Sequence, residues 1–256
     1  MNAIWIIAQN TIKALVRKKD FYVFLIMLLV LLILLLTQSF FGIDDISRFI
    51  KDIGYTCVWI FALIISVTFS AKQIPEELAA KTILTLLAKP VSRAQFLLGR
   101  FLGSILASAT AYTMFYIVYI YVIFLKGEGV APVLLAQSYL LGIFFLSVVC
   151  AISILLSTLL TFPAALSISF IAYFTSTYFA DSLRASMLSL KGVAALVATP
   201  IYYLMPHYEF FDMRVRITHS WEPLPLWVFA AIMAYAASYS SVILYISYRK
   251  TKNEFL

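Results

Sequence analysis

Long stretches of this 256-residue chain carry no charge at all. Phe21–Phe41, Gly54–Ala71, Phe101–Leu125, Gly129–Ala180 and Leu224–Tyr248 contain no Asp, Glu, Lys, Arg or His. Carriers driven by protons or sodium usually keep ionisable groups inside the bilayer, so the pattern argues against an internal ion motor. A nucleotide motor is missing as well. There is no GxxxxGK[S/T] and no Gly-Lys dipeptide, hence no loop of the kind that cradles a triphosphate. The two cysteines, Cys57 and Cys150, both fall in apolar stretches, which predicts free thiols and no disulfide framework. No short apolar core with a small-residue cleavage site follows Met1, so no removable signal peptide is expected. Histidine is equally sparse. His207 and His219 lie in one loop with Glu209 and Asp212, which raises a metal or hydrolytic centre, but the spacing matches no HExxH or paired-ligand motif. An aromatic-anchored interfacial loop accounts for it better, and no catalytic, cofactor or metal residue is assigned.

What is present is apolar surface: 63% of residues are hydrophobic, 12% are charged and the mean hydropathy is +0.98. That composition belongs to an integral membrane protein. About 20 apolar residues cross a bilayer as a helix. On that measure the chain reads as a single all-α membrane domain, residues 1–256, with six transmembrane helices near 21–41, 54–71, 101–125, 133–157, 163–180 and 224–248. The uncharged run Gly129–Ala180 is too long for one span; it breaks at Thr161-Phe162-Pro163, with Pro163 opening the next helix. Asn2–Lys19 reads as an interfacial N-terminal helix whose basic end lies at lipid head groups. Gly192–Met205 is apolar but too short to span and is interrupted by Pro200, which suggests a re-entrant outer segment between spans five and six.

The 19 Lys and Arg residues give a net charge of +7. With the N-terminus inside, most of them fall on the cytosolic side, so both termini are expected in the cytosol of a plasma (inner) membrane protein. The basic excess is a topology signal, and nucleic acid is not expected as a partner.

The organising stretch is Lys72–Arg100, KQIPEELAAKTILTLLAKPVSRAQFLLGR. Pro75 suits a first helical turn, and Glu76 and Glu77 suit the positive end of a helix dipole. Ala79, Ala80, Ile83, Leu86 and Leu87 share one face; Glu77, Lys81, Thr85 and Ala88 share the other. Pro90 bars Lys89 from the helical region, so this helix should stop near Ala88. Ser92 with Gln95 reads as a capping box for a new helix, with Val91 and Phe96 as its hydrophobic staple. The third span also carries a small-residue stripe, Gly103, Ala107 and Ala111, suited to close helix packing. Tyr112, Tyr116 and Tyr119 share one face of its outer half, as an aromatic belt or as candidates to line a pathway.

The phrase formed by Glu77, Lys81-Thr82-Ile83, Leu86-Leu87, Lys89-Pro90-Val91-Ser92-Arg93 and Leu98-Gly99-Arg100 resembles the signature loop of ABC-2 type permeases. These are the membrane subunits of ATP-driven exporters. Where many members carry a second acidic residue and a glycine before the threonine, this chain has Ala79 and Lys81. The resemblance implies that the stretch is a cytosolic coupling helix between spans two and three. Glu76, Glu77, Leu78, Lys81, Thr82, Leu84, Thr85, Lys89, Pro90 and Arg93 would then contact an ABC ATPase subunit. It further implies a second permease copy, a homodimer among the options, with ATP and Mg held by the partner subunit and no cofactor on this chain. The expected function is ATP-driven movement of a lipid-like or amphipathic substrate out of the cytoplasm. Two rivals are a force-transmitting subunit of a maturation or assembly system and a membrane-embedded lipid-modifying enzyme acting through the His207–His219 loop.

Overall fold

The computed structural model describes residues 46–79, 92–125, 129–179, 199–200 and 202–254, together with isolated positions 5, 6, 8, 9, 13, 22, 23, 26, 27 and 30. Every element among them is helical. In order they are α1 (Ile46–Ala79), α2 (Arg93–Leu125), α3 (Pro132–Leu159), α4 (Phe162–Tyr178), a 3-10 turn (Tyr208–Phe211), α5 (Arg214–Thr218) and α6 (Leu226–Glu254). Among the described residues, four segments are long and apolar enough to cross a membrane: Arg48–Pro75, Arg93–Leu125, Pro132–Leu159 and Leu226–Thr251. At 17 residues, α4 extends about 26 Å, a little short of a bilayer core of roughly 30 Å. The first expected span and the N-terminal helix fall mostly outside the described residues; the isolated positions there are helical. Residues 80–91, the middle of the organising loop, lie outside them too, as does most of 192–205.

The hairpin expected from the Thr161-Phe162-Pro163 break is present. Leu160 is extended at the end of α3, and Pro163 occupies the first turn of α4, where its missing N–H costs no bond. The capping box is present too. The Ser92 N–H donates to Gln95 Oε1 at 3.0 Å, and the Gln95 N–H donates to Ser92 Oγ at 3.2 Å. Two of the first orphan donors of α2 are thereby satisfied.

Two expected boundaries need correction at α1. The charged stretch from Arg48 to Asp52, expected as a loop before a span at 54–71, is helical, and Lys51 is buried. One of these charges is met by the returning chain: Arg214 of α5 lies against Asp52 at 3.5 Å. At the other end the helix does not restart at Pro75 but runs through it to Ala79. An internal proline forfeits a backbone bond, about 3 kcal/mol. Burial of Gln73 and Ile74 in the turn before it opposes that loss.

At the centre stands α3, packed against α1, α2, α4 and α6. Gly142 lets α2 approach it closely; a Cβ there would meet the Tyr112 ring, with Cε1 at 2.7 Å. The main core is aromatic. Trp59 stacks on Phe145 with centroids 4.1 Å apart, and Phe145 meets Tyr173, Tyr208 and Phe211. A second, smaller cluster of Ile74, Leu97, Phe101, Cys150, Ile154 and Leu244 lies toward the end of the bundle where α1 ends and α2 begins.

Candidate functional site

The described residues on either side of 80–91 are tied into the bundle. On the α1 side, Gln73 Nε2 donates to Ser104 Oγ of α2, and Ser104 in turn donates to the Arg100 carbonyl at 2.9 Å. Lys72 places its ammonium 5.4 Å from the centre of the Phe162 ring, at the α3–α4 turn. On the α2 side, Arg93 Nη1 donates to the Thr251 carbonyl of α6 at 3.4 Å, and Arg100 lies 5.5 Å from the Phe96 ring. Deeper in, Ser108 Oγ sits 3.7 Å from Cys150 Sγ. Cys57 and Cys150 are free thiols. The residues flanking 80–91 thus make direct contacts with α2, α4 and α6.

Of the residues expected to meet an ATPase, Arg93 is fully described, as the first residue of α2. Glu76, Glu77 and Leu78 lie in the last turn of α1. Lys81, Thr82, Leu84, Thr85, Lys89 and Pro90 lie outside the described residues.

The three tyrosines share one face of α2, as the spacing predicts, and that face is packed inside the chain. Tyr112, Tyr116 and Tyr119 are 1%, 3% and 0% exposed. Tyr116 OH donates to the Leu135 carbonyl at 2.9 Å and meets Ser138 Oγ; Tyr119 OH donates to the Lys51 carbonyl at 3.0 Å. Tyr112 stacks on Tyr139 with centroids 5.7 Å apart. They clasp α1 and α3 rather than face lipid as a belt.

At the far end, opposite the loop, the segment 202–225 folds over the bundle. His207 is buried against Tyr202 and Phe210, its backbone N–H donates to Tyr235 OH at 3.0 Å, and its Nδ1 lies 3.7 Å from Glu209. His219 instead stacks on the exposed Trp221, which also carries Arg216 at 5.9 Å. The two histidines thus serve different neighbours. Among the described residues, no three His, Cys, Asp or Glu converge in a way that could hold a metal ion. Burial, reinforced by Tyr239 and Tyr173, holds the Tyr208 phenol well above its ordinary value, which keeps it neutral.

Two far-end residues were missed from the sequence. Gln137 clasps Leu224 from α3: its Nε2 donates to the Leu224 carbonyl at 2.9 Å and its Oε1 accepts the Leu224 N–H at 2.8 Å. A lone amide in the uncharged run Gly129–Ala180 was the available signal. Arg214 is the other; Asp212 is its one near neighbour in sequence, whereas its partners Asp52 and Thr56 on α1 are remote.

Residues 5–188 match the sequence profile of a family described as "ABC-2 family transporter protein". No curated protein matches the chain.

Proposed function

The chain belongs to the ABC-2 family of transporter proteins, as a membrane permease subunit, and we propose that its 80–91 loop is where a separate ATPase subunit drives it. The observation that carries this reading is the double anchoring of the loop. Gln73 on one stem and Arg93 on the other contact α2 and α6, so a displacement of the loop cannot be absorbed locally. Interiors packed at crystal-like density transmit such strain rather than dissipate it. Ser92 and Gln95 lock the start of α2, which makes that helix a rigid lever from its first turn.

In this mechanism, closure of the ATPase subunits around ATP pushes the loop. The Gln73–Ser104 link tilts α1 with α2, and the cluster around Leu97, Phe101 and Ile154 carries the tilt into α3. A second permease copy completes the pathway, and the substrate is an amphipathic molecule moved out of the cytoplasm. The uncharged spans favour such a cargo over a small ion.

Copurification with the cognate ATPase tests the docking site. The double substitution Glu77→Ala/Leu84→Ala should leave expression and membrane insertion near normal and abolish ATPase retention. Removing an interface anchor of this kind costs about 2 kcal/mol or more. Full retention with full transport would reduce the loop to a linker. Retention and hydrolysis without any transported substrate would favour the force-transmitting role.

A further inference from the structure

At the far end a cavity of about 360 Å³ opens between α1, α4 and α5. It runs along α1 from Tyr55 to Ile64, some 13–14 Å at the helical rise. Trp59, Ile60, Leu63, Phe170, Tyr173 and Phe174 form its walls. Their surface is apolar, because the Trp59 Nε1–H is already given to Tyr173 OH at 3.1 Å. The volume falls in the range of about 300–1,000 Å³ typical of small-molecule sites, and the plan is the usual one of an apolar body with a few polar groups at one end.

That polar end holds Thr56, Asp212 and Arg214. Arg214 is held in place but poorly served. Asp52 Oδ1 lies 3.5 Å from Nε, and Asp212 Oδ2 lies 3.8 Å from Nη2. Both are outside the 2.7–3.2 Å or so of a formed N–H···O bond. Nη1 reaches Thr56 Oγ1 at 3.4 Å, and the buried Nε makes no hydrogen bond. A guanidinium offers about five donors in a fixed fork suited to a carboxylate or phosphate. Asp212, in contrast, is already engaged, its Oδ1 accepting the backbone N–H of Arg214 at 2.8 Å. With both carboxylates beyond bonding distance of the guanidinium and Nε unbonded, the fork can still receive closer acceptor oxygens.

We propose that this cleft binds a single-chain amphiphile, its chain between α1 and α4 and its anionic oxygen headgroup on the Arg214 fork. The inference builds on the reading that the cargo is amphipathic, and it names the class: a long-chain carboxylate or phosphate monoester. It places the ligand within one chain, so binding requires neither the ATPase nor hydrolysis.

Trp59 supplies the assay. In a variant with Trp5, Trp221 and Trp227 changed to Phe, 12-bromododecanoate should quench the remaining fluorescence saturably in lipid nanodiscs. Bromododecyl phosphate should do the same, and the ratio of the two affinities identifies the preferred headgroup. Arg214→Gln should weaken both by about tenfold or more, the equivalent of one charged hydrogen bond. Because Arg214 also braces α1, a second variant is needed. Ile60→Phe narrows the cleft from a half-exposed position and should weaken binding with Arg214 intact, whereas Val242→Phe on the exposed face of α6 should not. Quenching that rises linearly with bromolipid, as for simple partitioning, overturns the site. Equal or tighter binding of a bromododecyl trimethylammonium cation overturns the headgroup assignment. Saturable binding in the permease with no transport by the assembled complex would count against the transport reading while leaving the site intact.

Discussion

The link between the loop and the bundle can be cut without unfolding the protein. In Gln73→Leu, the bond from Nε2 to Ser104 Oγ is lost, at a net cost of about 0.5–1.5 kcal/mol. Ser104 stays satisfied, because its hydroxyl still donates to the Arg100 carbonyl at 2.9 Å. The substitution also removes Gln73 Oε1, a buried oxygen with no hydrogen-bond partner. Leaving such an atom unpaired costs about 1–3 kcal/mol, so its removal offsets the loss. The melting temperature should therefore move by no more than about 4 °C in either direction. Coupling should suffer far more. Site-to-site coupling energies run at about 1–3 kcal/mol, so losing one link of about 1 kcal/mol weakens communication roughly fivefold. The assay uses a cysteine-free background with a reporter at Thr177→Cys, in the far-end cleft, in complex with the ATPase. ATP should change its rate of thiol labelling with Gln73 in place. In Gln73→Leu that change should shrink several-fold while assembly and hydrolysis continue. An undiminished response would show that force does not travel through this contact, and the mechanism proposed for the loop would fail.

Two further outcomes are expected. Gly142→Ala drives a methyl into the Tyr112 ring, and overpacking of a buried contact costs about 1–3 kcal/mol; thermal unfolding in detergent should show the loss, and pairing it with Tyr112→Phe should recover part of it. Cysteines at Asp45 and Arg214 should react with an impermeant thiol reagent in intact cells, while one at Lys81 should react only after permeabilisation; labelling of Lys81 in intact cells would reverse the orientation.

Features written in local chemistry were legible from the sequence. The Ser92–Gln95 capping box and the Thr161–Pro163 break each depend on residues within a few positions, and the structure has both. The helical span between residues 133 and 157 needed only length and apolarity, and α3 covers it. The bounds of α1 were not legible. Its charged first turns look like a loop until Arg214 is brought to Asp52, and its last turns persist past Pro75 because Gln73 and Ile74 are buried by α2 and the cluster around Leu97. The shared face of Tyr112, Tyr116 and Tyr119 followed from helical spacing, but its destination did not. Hydroxyls that suit a membrane surface suit a helix–helix seam equally well when carbonyls such as those of Leu135 and Lys51 stand opposite. The far-end cleft was invisible for the same reason: its walls and its arginine come from three separated segments.

The contact between Arg214 and Asp52 also sets a schedule. Ribosomes deliver about 5–20 residues per second, so on the order of ten seconds separate the emergence of these partners. Through that interval the first turns of α1, with buried Lys51 and the carboxylate of Asp52, are built but not yet braced from α5. The Tyr119 hydroxyl on the Lys51 carbonyl becomes available sooner, once α2 is made. A pause in synthesis after α4 would leave the first turns of α1 with the Tyr119 bond but without the Arg214 contact, so the interval before Arg214 is the one in which that end of the helix lacks its last brace.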